Sequence, residues 1–256
     1  MPGPDVLLEL ALTIHPEHPE DRQDHAARLA ARLGYTEVWL PAGEELGRPA
    51  PERLELLAAA AEPARLGLVV PGDQQSDQDD VAHWLNRSPY AAGHVLLELP
   101  GSAEALRHAV GGPEEWRTRV RLPSFEPHAA GTVVRRATRE GIIAGVADAV
   151  RSRAAAAITP DRHPVVAALP VSIGRTVSEA MARALRDPRF AGERHPREAG
   201  LFGTYEDAQG RALELAAAGA DGLQVTVADE IDVADLLAQV RSLVVGATPV
   251  LHSRRT

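Results

Sequence analysis

Short apolar runs of strand length alternate along the chain with amphipathic stretches of helical spacing. Val6–Leu12 predicts a first strand. Pro19–Leu33 follows, with Ala26, Leu29, Ala30 and Leu33 on one helix face and Gly34 closing it. Thr36–Leu40 predicts a strand, Pro51–Ala61 a helix, Leu66–Val70 a strand and Asp79–Leu85 a short helix. His94–Leu99 predicts a strand, Ala103–Val110 a helix and Arg119–Leu122 a short strand. Thr132–Arg153 reads two ways: one long helix, or a buried strand at Gly141–Val146 between two helices. Beyond it, Val165–Ile173 predicts a strand, Val177–Leu185 a helix and Asp187–Gly200 a polar loop. Tyr205–Ala218 predicts a helix capped by Gly219, Leu223–Val227 a strand and Val233–Val244 a closing helix.

Repeated β-α units of this kind wrap helices around a parallel sheet. The 256 residues suit one such barrel. The expected fold class is therefore α/β, a (β/α)8 TIM-barrel-like domain, shortened, with room for one irregular or missing β/α unit. Residues 1–252 form that single domain, and 253–256 a frayed tail.

Composition narrows the chemistry. The chain has no Cys and no Lys, so all 27 basic residues are Arg. A thiol nucleophile, a zinc–thiolate site, a Schiff-base lysine and a P-loop are thereby excluded. The net charge of −9 argues against nucleic acid or an anionic membrane as partner. No apolar run approaches the roughly 20 residues of a membrane span. The first residues lack the basic start of a signal peptide, so a cytoplasmic location is expected.

Candidate chemistry gathers near strand ends. His15-Pro16-Glu17-His18 follows the first strand, at the end where barrel active sites lie. No third ligand accompanies the two histidines, so no metal site is expected, and His15 is read as a pocket residue. Trp39 ends the second strand as either core or pocket wall. Glu98, between leucines on a buried strand, is an acid/base candidate or the partner of an arginine. Gly203-Thr204 and Ala130-Gly131-Thr132 precede predicted helices, where small residues let backbone N–H groups approach a phosphate. Arg135, Arg136 or Arg175 would complete such an anion site, and Ser172 is a hydrogen-bonding candidate on an otherwise apolar strand. A Gly-x-Ser-x-Gly elbow, a Gly-x-Gly-x-x-Gly turn and a His-Glu-x-x-His pair are all absent.

AARLAARLGYTEVW at Ala26–Trp39 and RLELLAAAAEPARLGLVV at Arg53–Val70 resemble the luciferase-like flavin-dependent oxidoreductases. Pro164–Ala184, Gly203-Thr204 with Glu206, and ALELAAAGADGLQV at Ala212–Val225 continue the resemblance, and Gly131–Val150 resembles another segment of the family. The resemblance implies a barrel that binds FMN or the deazaflavin coenzyme F-420 at the C-terminal strand ends and acts on a small organic substrate. Trp39, Gly67, Gly131, Thr132, Ser172, Gly203 and Thr204 are its implied cofactor-binding positions, with His15 and Glu98 the catalytic candidates. The cofactor carries the redox chemistry, which suits a chain without Cys or Lys. A homodimer, or pairing with a homologous subunit, is implied, and the Ala/Leu face of Pro51–Ala61 suits it. Pro41-Ala42-Gly43-Glu44 stands where many members have an acidic residue and a histidine. A non-catalytic flavin-binding or partner subunit of the same fold is therefore the alternative. A flavin-free isomerase or lyase using Glu98, His15 or His94 is the third reading.

Overall fold

The computed structural model describes residues 8–15, 18–41, 51–69, 95–99, 118–121, 125, 127, 129–187, 190, 198, 200–227 and 233–244. The elements run β1 (Glu9–Thr13), α1 (Glu20–Arg32), β2 (Glu37–Pro41), α2 (Pro51–Ala61), β3 (Arg65–Val69), β4 (Leu96–Leu99) and β5 (Thr118–Arg121). They continue with β6 (Thr132–Val134), α3 (Arg139–Ala155), β7 (Val165–Ile173), α4 (Val177–Arg186), β8 (Leu201–Gly203), α5 (Tyr205–Ala217), β9 (Gly222–Val227) and α6 (Val233–Val244). The helices expected at Asp79–Leu85 and Ala103–Val110 lie outside the described residues.

Every strand pairing is parallel. Followed in chain order from β1 to β7 and then through β9, the pairings return to β1. The irregular unit is β8, three residues that among the described residues pair only with the far end of β7, Val171–Ile173. β7 meets β9 directly over Val166–Val171, which leaves β8 as an appendage to the ring.

Local chemistry explains the helix ends. Gly34, at φ +80°, lets the chain leave α1 while the Tyr35 N–H donates back to the Ala30 carbonyl. Thr138, Thr176 and Thr204 each accept a backbone N–H at the start of α3, α4 and α5. At α5 the Asp207 carboxylate accepts the Thr204 N–H in return.

Thr132–Arg153 follows neither reading of the sequence. Thr132–Val134 is a strand held between β5 and β7, and the Thr138 cap starts a helix that contains Gly141–Val146. Only three residues pair before Arg135, too few to leave a period-two signal.

Alternation divides the buried residues into two sets. Val38, Leu40, Leu66, Leu68, Leu97 and Leu99 join the helices in the large outer core. Ala11, Trp39, Val69 and Leu96 form a separate cluster, which is the barrel interior.

Candidate functional site

The inward positions that are not apolar form two ionic clusters, one on each side of Trp39. Toward the N-terminal end, Glu37 accepts from Arg119 at 2.5 and 2.7 Å, from Arg65 at 2.9 Å and from the Trp39 indole at 3.0 Å. The Arg119 guanidinium lies 5.4 Å from the Trp39 ring centre. Toward the C-terminal mouth, Glu98 Oε1 accepts from Arg121 at 2.6 Å and Arg135 at 2.8 Å. Glu98 Oε2 accepts from Arg135 at 2.9 Å and Gln224 at 3.0 Å, and Gln224 also donates to Thr13 at 3.2 Å.

Burial alone would raise the Glu98 pKa, but the charges of Arg135 and Arg121 and the hydrogen bonds outweigh it and hold the pKa at about 2. The carboxylate therefore stays ionised at neutral pH. That state suits a fixed charge that holds two guanidinium groups, of which Arg135 reaches solvent at the mouth.

A cavity of about 660 Å³ opens on the same C-terminal rim, where the ends of β1 and β9 meet α1 and α6. Thr13 joins it to the mouth, and His15, His18, Asp21, Arg22 and His25 supply its polar wall. The rings of His15 and His18 stack with centroids 4.4 Å apart. Gln23 fixes that turn by donating to the carbonyls of His15 at 3.4 Å and His18 at 3.0 Å. Sequence spacing pointed to His15. It did not point to His25 and Arg22, which α1 brings to the cavity only once its packing against the barrel is known.

The other candidates are dispersed. Trp39 is fully buried inside the barrel, and a Cβ on Gly67 would fall 2.4 Å from its ring, so Gly67 makes room for the indole. The Ser172 hydroxyl donates to the Ala180 carbonyl of α4 at 2.8 Å. Thr204 is engaged in the α5 cap, and Gly203, at φ +132°, packs on Asp207. Gly131 and Thr132 stand at the N-terminal end of the barrel, away from the mouth, and Thr132 points outward to His163 at 2.7 Å. They precede a strand, so no helix N-terminus forms there. Arg136 donates to the Arg135 carbonyl, and Arg175 borders a separate cleft at the end of β7. His94 lies outside the described residues. Among those residues no group of three or more His, Asp or Glu is placed to hold a metal ion, and no helix is long and apolar enough to cross a membrane.

No family model matches the sequence, and no curated protein matches it. Solved structures do match over nearly the whole chain. A coenzyme F-420-dependent tetrahydromethanopterin reductase from Methanopyrus kandleri matches at 12% identity over 93% of this chain and 98% of its own, with TM-score 0.65. An F-420-dependent secondary alcohol dehydrogenase, in complex with an F-420–acetone adduct, matches at 10% identity over 92% and 98%, with TM-score 0.64. The oxygenating constituent of 3,6-diketocamphane monooxygenase from Pseudomonas putida, in complex with FMN, matches at 14% identity over 93% and 98%, with TM-score 0.62. The chain has the fold of these proteins.

Proposed function

We propose that this chain is an oxidoreductase that binds FMN or coenzyme F-420 at the C-terminal mouth of its barrel and acts there on a small organic substrate. The observation that carries the reading is the open cavity of about 660 Å³ on that rim, in a fold shared with enzymes that use these two cofactors. The volume lies within the roughly 300–1,000 Å³ range of small-molecule sites. Leu12, Ile14, Ala26, Val227 and Val233 supply apolar wall, and Arg22 and the histidines supply polar contacts. The residues present therefore fit a flat ring with a polar tail. Trp39 and the Glu98 cluster close the barrel beneath, so a ring rests on the rim and does not enter the interior.

In this reading the bound cofactor supplies the redox equivalents. His15 and His18 would form one wall of that site, and their imidazoles would supply the groups able to take up or release a proton there. Arg135 and Arg121, held by Glu98, place positive charge at the mouth and orient anionic groups of the cofactor or substrate. Domain 1–252 is one functional unit, and a copy of itself or of a homologue pairs with it.

The test is titration of the purified chain with FMN and with coenzyme F-420, read by absorption and fluorescence, followed by turnover over a substrate panel. Saturable binding of one cofactor with turnover is expected. Binding of neither at high micromolar concentration overturns the reading. Binding without turnover supports the non-catalytic subunit instead.

A further inference from the structure

The opposite end of the barrel holds a second pocket, of about 590 Å³, between the starts of β3 and β5 and the segments that lead into β6 and β7. Its charged lining is Arg65, Arg119, Asp161 and Arg162, with Ala130 and Pro164 on the rim. Arg65 and Arg119 share a single carboxylate, that of Glu37, which leaves one positive charge uncompensated. Arg65 spends only Nη2 on Glu37 and is half exposed, so its other donors face the pocket side. Among the described residues, the exposed side chains of Arg162 and Asp161 make no hydrogen bond or ion pair with each other or with any other group.

Two further observations concern Arg119. Arg119 Nε is buried with no hydrogen-bond partner. A Cβ on Gly131 would stand 3.3 Å from it, so only glycine leaves the space beside this donor open. Strand N-terminal faces of barrels ordinarily serve stability. An ion pair with a surplus guanidinium and an open pocket is more than stability requires, since an exactly matched pair would do as well.

We propose that this N-terminal pocket is a second binding site, which takes a small organic molecule through an oxyanion head group held between Arg65 and Arg162. The head is a phosphate or a carboxylate, because guanidinium groups bind both through paired N–H donors.

The experiment titrates the full chain with inorganic phosphate, citrate and sodium chloride at matched ionic strength. Thermal unfolding and calorimetry read the binding. A saturable rise in melting temperature with phosphate or citrate, absent with chloride, is expected, and the stronger of the two names the head group. Arg162→Ala removes a side chain with no partner, so it folds, and it should weaken binding at least tenfold, while Arg162→Lys weakens it less. Arg151→Ala, on the exposed face of α3 and outside both pockets, should leave the affinity unchanged. Equal shifts in all three salts, or unchanged affinity in Arg162→Ala, overturn the proposal. No flavin enters the measurement, so its failure leaves the oxidoreductase reading standing, and the reverse also holds.

Discussion

Arg135 closes on Glu98 with a two-pronged fork, Nε to Oε1 at 2.8 Å and Nη2 to Oε2 at 2.9 Å, from just beyond the end of β6. Glu98 is fully buried, so its charge depends on that fork and on Arg121. Replacing Glu98 by Gln strands two guanidinium groups over the mouth. Loss of one partner from a buried pair costs about 3–5 kcal/mol. Urea denaturation should show a loss of that order in Glu98→Gln, with part recovered in Glu98→Gln/Arg135→Gln. Unchanged stability together with abolished activity would instead assign Glu98 to proton transfer, as the isomerase or lyase reading requires.

Gly67 and Trp39 face each other across β2 and β3 at the same level of the barrel. An added methyl would meet three atoms of the indole within 2.6 Å, and Trp39 has no exposed edge toward which to move. Gly67→Ala should therefore destabilise by about 1–3 kcal/mol through overpacking. Trp39→Phe in the same background should recover part of the loss. If Gly67 touches the cofactor, the variant should also lose flavin affinity at temperatures where it remains folded.

The order of strands and helices was legible where the outward strand residues and the inward helix residues are apolar, as in Val165–Ile173 and Val233–Val244. β6 and β8 were not, because three paired residues carry no period of their own. The site was legible only in part. His15 stands at a strand end in the sequence itself, and reaches the cavity from there. The partners of Glu98 come from positions 121, 135 and 224, and only barrel closure brings them together. Gly131-Thr132 resembled a helix start because the sequence shows glycine before a hydroxyl residue, but Val133 and Val134 carry the chain into a strand.

His15 joins the strand end of β1 to the rim cavity, and its ring is steadied by the stack with His18. If the cavity seats the cofactor or substrate, His15→Ala should weaken binding about tenfold, the loss of a contact of about 1.4 kcal/mol. His18→Ala should have a smaller effect, through loss of the stack. Titration of each variant with FMN and coenzyme F-420, beside thermal melts that establish folding, separates a ligand contact from a structural one.

His163 gives the fold a dependence on mild acid. Its Nδ1 faces the Ala129 carbonyl at 3.1 Å, which can only accept, so Nδ1 carries the proton and Nε2 accepts from the Thr132 hydroxyl at 2.7 Å. Burial lowers its pKa from the usual 6.5 and outweighs the Ala129 hydrogen bond, which raises it; Arg153 and Arg119 lower it further, against a smaller contribution from Asp221. A histidine held neutral in the fold binds fewer protons than in the unfolded chain, so stability falls as pH drops below about 6.5 and levels off only below the folded pKa. The second acid loss, from Glu98, begins near the ordinary carboxylate range and runs down to about pH 2. Melting temperatures of the natural chain should therefore decline from pH 7 to pH 5. In His163→Gln the melting temperature at pH 7 should be lower and the decline over that interval flatter. The same slope in both proteins would show that other groups control the response.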